Sequence, residues 1–272
     1  MKITSLVDNT SNCSMPVEHG LSLHLSLNNG KQILFDMGQG TLFLQNAQSL
    51  AVNIGSVDIA VVSHGHYDHG GGLSTFLQNN QKSEVYLHKK AFENHYSLRD
   101  SGLTYIGLDP HLRDHHRLNF CEGVTKIDDQ LTLVSDVHGN LYNPIGNRLL
   151  FGPEEGKNDD FSHEQSLIVM EGKNVVLLAG CAHTGILNIL KKATLEVGTT
   201  PTHVFSGFHL VKSQLSENAE FDFICGIAHE FQKYSNTKFY TMHCTGLEQY
   251  NTLRKLMGEQ INYLSCGEQI VL

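Results

Sequence analysis

Ser63-His64-Gly65-His66-Tyr67-Asp68-His69-Gly70-Gly71-Gly72 follows directly on the apolar run Ile59 to Val62, so three imidazoles and a carboxylate leave the end of a buried strand together. His64 and His66, two apart in an extended stretch, can face the same way and share one metal ion. Asp68 and His69 fall at the start of the next helix, where they can serve a second ion close to the first. The glycines at 70 to 72 let the backbone turn tightly beneath such ions without side-chain clash. Seventeen histidines, nearly as many as the 19 lysines and arginines together, mark imidazole as a working group in this chain of 272 residues.

Outward from this segment, apolar or alternating runs of strand length recur along the chain. They are Ile3 to Val7, Leu21 to Leu27, Gln32 to Phe35, Ile59 to Ser63, Glu84 to Leu87, Leu131 to Val134, Ser166 to Met170, Val175 to Ala179, His203 to Phe205, Lys238 to Met242, Ile261 to Leu264 and Gln269 to Val271. Helical patterns lie between them at Thr41 to Ala51, Gly72 to Gln78, Gly185 to Leu195, Glu217 to Tyr234 and Gly246 to Met257. Interleaving of this kind predicts an α/β fold. Gly139 to Phe161 is the one long irregular stretch, with Pro144, Pro153 and the acidic pair Asp159 and Asp160, and reads as a lid or substrate-binding segment. With no fixed-period repeat and no linker-like composition, residues 1–272 read as a single domain.

Composition narrows the partners. A chain that is 40% hydrophobic and 17% charged suits a cored globular protein. Twenty-eight acidic against 19 basic residues, net charge −9, lack the electropositive footprint that nucleic-acid binding needs. No run approaches the length of a membrane span, and Met1 to Asp8 is too short and too soon acidic for a secretory segment, so the expected setting is cytoplasmic and away from membranes. Six singly spaced cysteines form neither a disulfide framework nor CxxC zinc pairs and read mostly as buried thiols. Oligomeric state leaves no signature in the sequence.

Further motifs extend the pattern: Val7-Asp8-Asn9, Glu18-His19-Gly20-Leu21-Ser22, Phe35-Asp36-Met37-Gly38-Gln39 and Asp159-Asp160-Phe161-Ser162-His163-Glu164-Gln165-Ser166-Leu167. Later come Gly180-Cys181-Ala182-His183-Thr184-Gly185, Ser206-Gly207-Phe208-His209-Leu210 and His243-Cys244-Thr245-Gly246. Over nearly its whole length the chain thus resembles the metallo-β-lactamase superfamily, and within it the branch of dihydropterin ribofuranosylaminobenzene 5'-phosphate synthase and related metal-dependent hydrolases. The resemblance implies an αββα sandwich with a metal site at one edge, where strand ends from both halves converge. It implies two divalent ions, zinc first, with manganese or iron compatible with the same donors. Their ligands would be His64, His66, Asp68 and His69, with His243 and His183 from the second half.

One departure stands out. Many superfamily members end the strand before His183 in Gly-Asp, whose carboxylate bridges two ions, whereas this chain has Gly180-Cys181. Either the Cys181 thiolate ligates, or His183 supplies the ligand, the preferred reading; His163 is a further candidate for the third ligand of the first ion. Asp36 resembles the buried aspartate that braces the histidine loop, with a plain turn aspartate as the alternative. Glu164 is placed to orient a ligand or substrate, or is a solvated strand-end carboxylate.

His209 and Asp68 are the candidate catalytic residues, His209 to contact substrate or protonate a leaving group, a structural histidine being the alternative. Arg113 and Arg117 would share a face if their segment were helical and could then clamp phosphate; a polar surface insert is the plainer account. His19, His24, His88, His95, His138, His203 and His229 read as structural or surface residues, His19 being nearest the site. A dinuclear centre lowers the pKa of a bound water toward about 7. The expected activity is therefore hydrolysis of a phosphorylated or cyclic-ester small molecule. The alternatives are a pterin-related synthase or transferase and a metal-binding protein without catalysis.

Overall fold

The computed structural model describes residues 1–211 and 214–272. Its strands are β1 (Lys2–Val7), β2 (Ser22–Ser26), β3 (Gln32–Phe35), β4 (Ile59–Val61), β5 (Glu84–His88), β6 (Tyr96–Arg99), β7 (Gly102–Tyr105), β8 (Leu118–Cys121) and β9 (Val124–Lys126). The second half adds β10 (Leu131–Val134), β11 (Leu150–Phe151), β12 (Ser166–Glu171), β13 (Asn174–Leu178), β14 (His203–Ser206), β15 (Lys238–Thr241), β16 (Ile261–Tyr263) and β17 (Gln269–Val271). The α-helices are α1 (Leu42–Ser49), α2 (Tyr67–Gly70), α3 (Leu73–Asn79), α4 (Ile186–Val197), α5 (Glu217–Gln232) and α6 (Leu247–Met257).

Two seven-stranded sheets run β17-β1-β2-β3-β4-β5-β8 and β16-β15-β14-β13-β12-β10-β9. Each is antiparallel on one side and parallel on the other, where β3, β4, β5 and β8 pair in one sheet and β13 to β16 in the other. Parallel neighbours need crossovers, and the helices supply them. Successive residues of one strand feed different layers. Val176 and Leu178 meet Phe35, Val61 and Leu133 between the sheets, while Val175 and Leu177 pack with Ile189, Leu190 and Phe231 of the outer helices. Leu34 likewise joins Phe43 and Phe76 on the other flank. Burial on both faces is why these strands read as continuous apolar runs. The architecture is the expected αββα sandwich.

Every strand and helix expected from the sequence is present, displaced at its ends by no more than two residues. Five strands were not legible: β8 and β9 at the edges of the two large sheets, and β6, β7 and β11, which form a separate three-stranded sheet. Their apolar residues Leu98, Leu103 and Tyr105 are exposed rather than part of a core, so no burial alternation marks them. Gly139 to Phe161 is accordingly less irregular than expected: it holds a 3-10 turn, Ile145–Leu149, and then β11, which pairs with β6. The Arg113 and Arg117 helix is absent. Pro110–Leu112 is a single 3-10 turn, and the buried Arg117 guanidinium donates to the carbonyls of Leu77, Asn80 and Ser83, which uses it structurally. All six cysteines are free thiols, four of them buried, with Cys13 exposed and Cys225 partly so. Among the described residues no helix is long and apolar enough to cross a membrane.

Candidate metal centre

Asp36 follows β3, His64 follows β4, Cys181 and His183 follow β13, His209 follows β14 and His243 follows β15. These are carboxyl ends of parallel strands, where α/β sheets collect their functional loops. The chain must turn hard there: Asp36, Ala182, His209 and His243 all have positive φ, between 46° and 60°, a strained region for a side chain with a Cβ. Two glycines make close approaches possible. A Cβ on Gly72 would lie 2.3 Å from the Met37 carbonyl oxygen, and one on Gly180 would lie 2.2 Å from Ser63 Oγ.

Hydrogen bonds fix which imidazole nitrogens carry protons. Asp36 accepts from the Ser63 amide, the Ser63 hydroxyl and His69 Nδ1, each at 2.7 Å. Since the Ser63 hydroxyl proton goes to Asp36, Ser63 Oγ accepts from His64 Nδ1 at 2.8 Å. Asn147 donates its amide to the His183 carbonyl, which points its Oδ1 at His183 Nδ1, 2.9 Å away. Asn9 Oδ1, already taking the Gly20 amide, accepts from His243 Nδ1 at 2.8 Å. His64 and His183 therefore turn a bare Nε2 lone pair inward, while His69 and His243, their Nδ1 atoms engaged, turn Nε2 toward each other, Cys181 and Asp68. His64, His66 and His183 have buried Nε2 atoms with no hydrogen-bond partner, a state that costs free energy unless something electrophilic sits between them.

Distances sort these atoms into two sets. His64, His66 and His183 each offer one atom within 4.8 Å of the others. In the second set His69 Nε2 is 3.3 Å from His243 Nε2, and Asp68 Oδ2 is 3.3 Å from His243 Nε2. Ligands about 2.0–2.1 Å from a tetrahedral zinc are spaced by about 3.3–3.4 Å, so this set matches the edges of a coordination polyhedron. Cys181 Sγ, 3.1 Å from His69 Nε2, also lies within 4.8 Å of ligand atoms of His64, His183 and His243. It stands between the two sets. Burial, then the neighbouring imidazoles, holds His64 and His183 well below the ordinary histidine range, so both are neutral and able to ligate at pH 7. For Asp68 burial favours the neutral form, but His69, His19 and His243 outweigh it and hold the carboxyl well below its usual range. The donor set fits divalent cations.

Other residues brace this arrangement. His163 does not join the first set: its Nδ1 accepts the Gly65 amide at 2.9 Å and its Nε2 faces Asp159 Oδ2 at 3.3 Å. Asp159 also binds His95 Nδ1 at 2.7 Å, so His95 and Asp159, read from sequence as a structural histidine and a loop acid, support the loop that carries His66. Glu164 accepts the His183 amide at 2.7 Å and the Thr184 amide and hydroxyl, which anchors the turn behind His183. His19 takes a hydrogen bond from Asn9 on Nδ1 and gives one from Nε2 to Asp68, 3.2 Å away. His209, in ring contact with His183, lines the cavity above the cluster and has a buried Nδ1 without a partner. That cavity, about 110 Å³, is open to solvent between the histidine floor and the β6–β7 hairpin.

Asn147 is the residue the sequence hid most completely, since nothing in its surroundings flags an amide within an apparent loop. Asn147→Leu frees His183 to present either nitrogen, and zinc affinity is expected to fall about tenfold or more. Competition with a chromogenic chelator measures it; equal affinities would remove Asn147 from the account.

A family model of the metallo-β-lactamase superfamily matches residues 24–191, more than half the chain and across most of these loops. The chain belongs to the metallo-β-lactamase superfamily. Among its relatives, a solved metal-dependent hydrolase of the β-lactamase superfamily is 30% identical, with a TM-score of 0.82 over 100% of this chain and 99% of that one. An uncharacterised protein of Methanocaldococcus jannaschii is 31% identical over 261 residues, 93% of this chain and 94% of the relative. From the same organism, 7,8-dihydropterin-6-methyl-4-(β-D-ribofuranosyl)-aminobenzene-5'-phosphate synthase is 25% identical over 99% of this chain and 96% of its own length. This member of the superfamily thus shares its whole span with both hydrolase-type and synthase-type relatives.

Proposed function

We propose that the protein is a metal-dependent hydrolase acting on a phosphorylated or cyclic-ester small molecule. The observation that carries this reading is the convergence of imidazole Nε2 atoms, their Nδ1 atoms engaged on the far side by Asp36, Ser63, Asn9 and Asn147, beneath one cavity open to solvent. His64, His66 and His183 would hold one divalent ion and Asp68, His69 and His243 a second, with Cys181 between them. Zinc suits the nitrogen, sulfur and carboxylate donors, as manganese or iron would suit most of them. When bound, such ions supply an activated water and a counter-charge for the oxygen that becomes anionic.

The chain's own residues do the rest. His19 holds Asp68 in orientation, Glu164 and Asn147 hold His183, and His209 stands at the cavity wall where it can keep a proton for the leaving group. The net charge of −9 disfavours nucleic acid as a partner, and a small molecule in a cytoplasmic setting fits the cavity. The opening to solvent also supports an enzyme over a metal-storing protein.

Elemental analysis and reconstitution test this reading. Chelation is expected to abolish hydrolysis, and zinc or manganese to restore it at least about a hundredfold, on one of a panel of phosphodiesters, lactones and β-lactams. Fully metal-loaded protein inert towards the whole panel would overturn it. The synthase among the relatives supports a second reading, transfer of a pterin group onto an aryl ribosyl phosphate with loss of pyrophosphate. Pyrophosphate release from a dihydropterin pyrophosphate that depends on the second substrate would favour it.

A further inference from the structure

The exposed Arg99 is among the residues lining the cavity above the histidine cluster, and its side chain has no hydrogen-bond or ion-pair partner among the described residues. Arginines elsewhere in the fold are engaged or distant. Arg117 is bound to three carbonyls, Arg148 donates to the Ile145 carbonyl, Arg254 pairs with Glu259, and Arg113 lines a different groove beside Lys89 and Glu93. A solvated guanidinium with no protein partner, beside a cavity in an acidic protein, is available to an anion.

Leu98, Ile106, Leu149, Leu150 and Val211 also line the cavity, together with Tyr67 and Ser97. Strand pairing holds Arg99 in place: β6 is hydrogen-bonded to β7 on one side and to β11 on the other, and β11 continues directly from the 3-10 turn that carries Asn147. The cavity thus combines metal-ligating atoms, apolar side chains and one arginine.

We propose that Arg99 determines specificity by binding an anionic tail, carboxylate or phosphate, that a short apolar segment joins to the group reacting at the floor. The substrate class is then an amphiphilic small molecule with an anion at the end remote from the scissile bond. This rests on the reading that the floor holds divalent ions. A planar guanidinium takes either oxyanion through two parallel hydrogen bonds, whereas a lysine offers only a point charge.

Zinc-loaded protein titrated calorimetrically with ethylphosphonate, 3-phosphonopropionate and propane-1,3-diphosphonate separates the roles. All three ligands present the same head to the floor, and the last two add a carboxylate or phosphonate tail. Wild-type protein is expected to bind at least one tailed ligand about tenfold tighter than ethylphosphonate, and the better of the two identifies the tail. In Arg99→Ala that ratio falls towards one, and Arg99→Lys restores part of it. Thermal melting confirms that the exposed substitutions leave the fold intact. Binding of all three with a ratio that Arg99→Ala does not change overturns the proposal alone. Failure of zinc-loaded wild type to bind any of them overturns the metal-floor reading with it.

Discussion

With two ions bound as proposed, Asp68→Asn is expected to lower turnover by about a thousandfold and to remove one of the two zinc equivalents. Asp68 Oδ2 lies 3.3 Å from His243 Nε2 and 3.9 Å from His69 Nε2, so the carboxylate completes the second set of ligand atoms. Asparagine keeps the shape and loses the charge. Its amide can even hydrogen-bond a bare imidazole nitrogen, which lets the metal-free fold survive while the cation loses its anionic partner. An ion's stabilisation of a developing oxyanion is worth several kcal/mol, and about 1.4 kcal/mol is a factor of ten in rate. Metal stoichiometry and kcat on the same preparation read both effects. Two zinc equivalents with turnover within tenfold of wild type would show that Asp68 is not a ligand.

Asp36→Ala should damage stability and metal affinity together. The wild-type carboxylate is fully buried and receives three donors, the Ser63 amide, the Ser63 hydroxyl and His69 Nδ1. Alanine leaves them unpaired in a dry interior, at about 1–3 kcal/mol each, and the expected net loss is about 3–5 kcal/mol. That is a large share of the roughly 5–15 kcal/mol holding a domain folded. Two imidazoles also lose their enforced proton positions, His69 directly and His64 through Ser63, so zinc affinity falls about 10–100-fold. Denaturant melts of chelated and zinc-loaded protein separate the terms, because weaker binding shrinks the stabilisation that zinc adds. Chelated variants as stable as wild type, with an undiminished zinc increment, would reduce Asp36 to a turn residue.

Much of the site was legible because its chemistry is local. His64, His66, Asp68 and His69 are nearly contiguous, and their strand-to-helix setting could be read from the apolar run before them. Asp36, His183 and His243 each follow such a run and share its strand-end logic. Their partners are different. His183 meets Asn147 across 36 positions, His243 meets Asn9 across 234, and His95 meets Asp159 across 64. An amide in a loop has no periodicity, and His95 looks like any other histidine until the fold brings a carboxylate to it. The β6–β7 hairpin was missed for a related reason: its apolar residues face a cavity and solvent instead of a core.

The amino-acid pattern determined an α/β fold, because residues buried on both faces of a strand must be apolar in succession, and the layered sandwich followed from the family resemblance. The same pattern also placed His64, His66, Asp68 and His69 together at the end of a buried strand, and the resemblance implied that donors from both halves gather at one edge. Only the tertiary structure shows how His183, His163 and Cys181 differ in their surroundings. A histidine becomes available to a cation when its other nitrogen is engaged elsewhere. For His183 that engagement comes from Asn147; for His163 both nitrogens are taken; and Cys181 lies between the two sets of ligand atoms. The direction of a lone pair is set by partners that distant elements deliver, and this is a property of the packed chain.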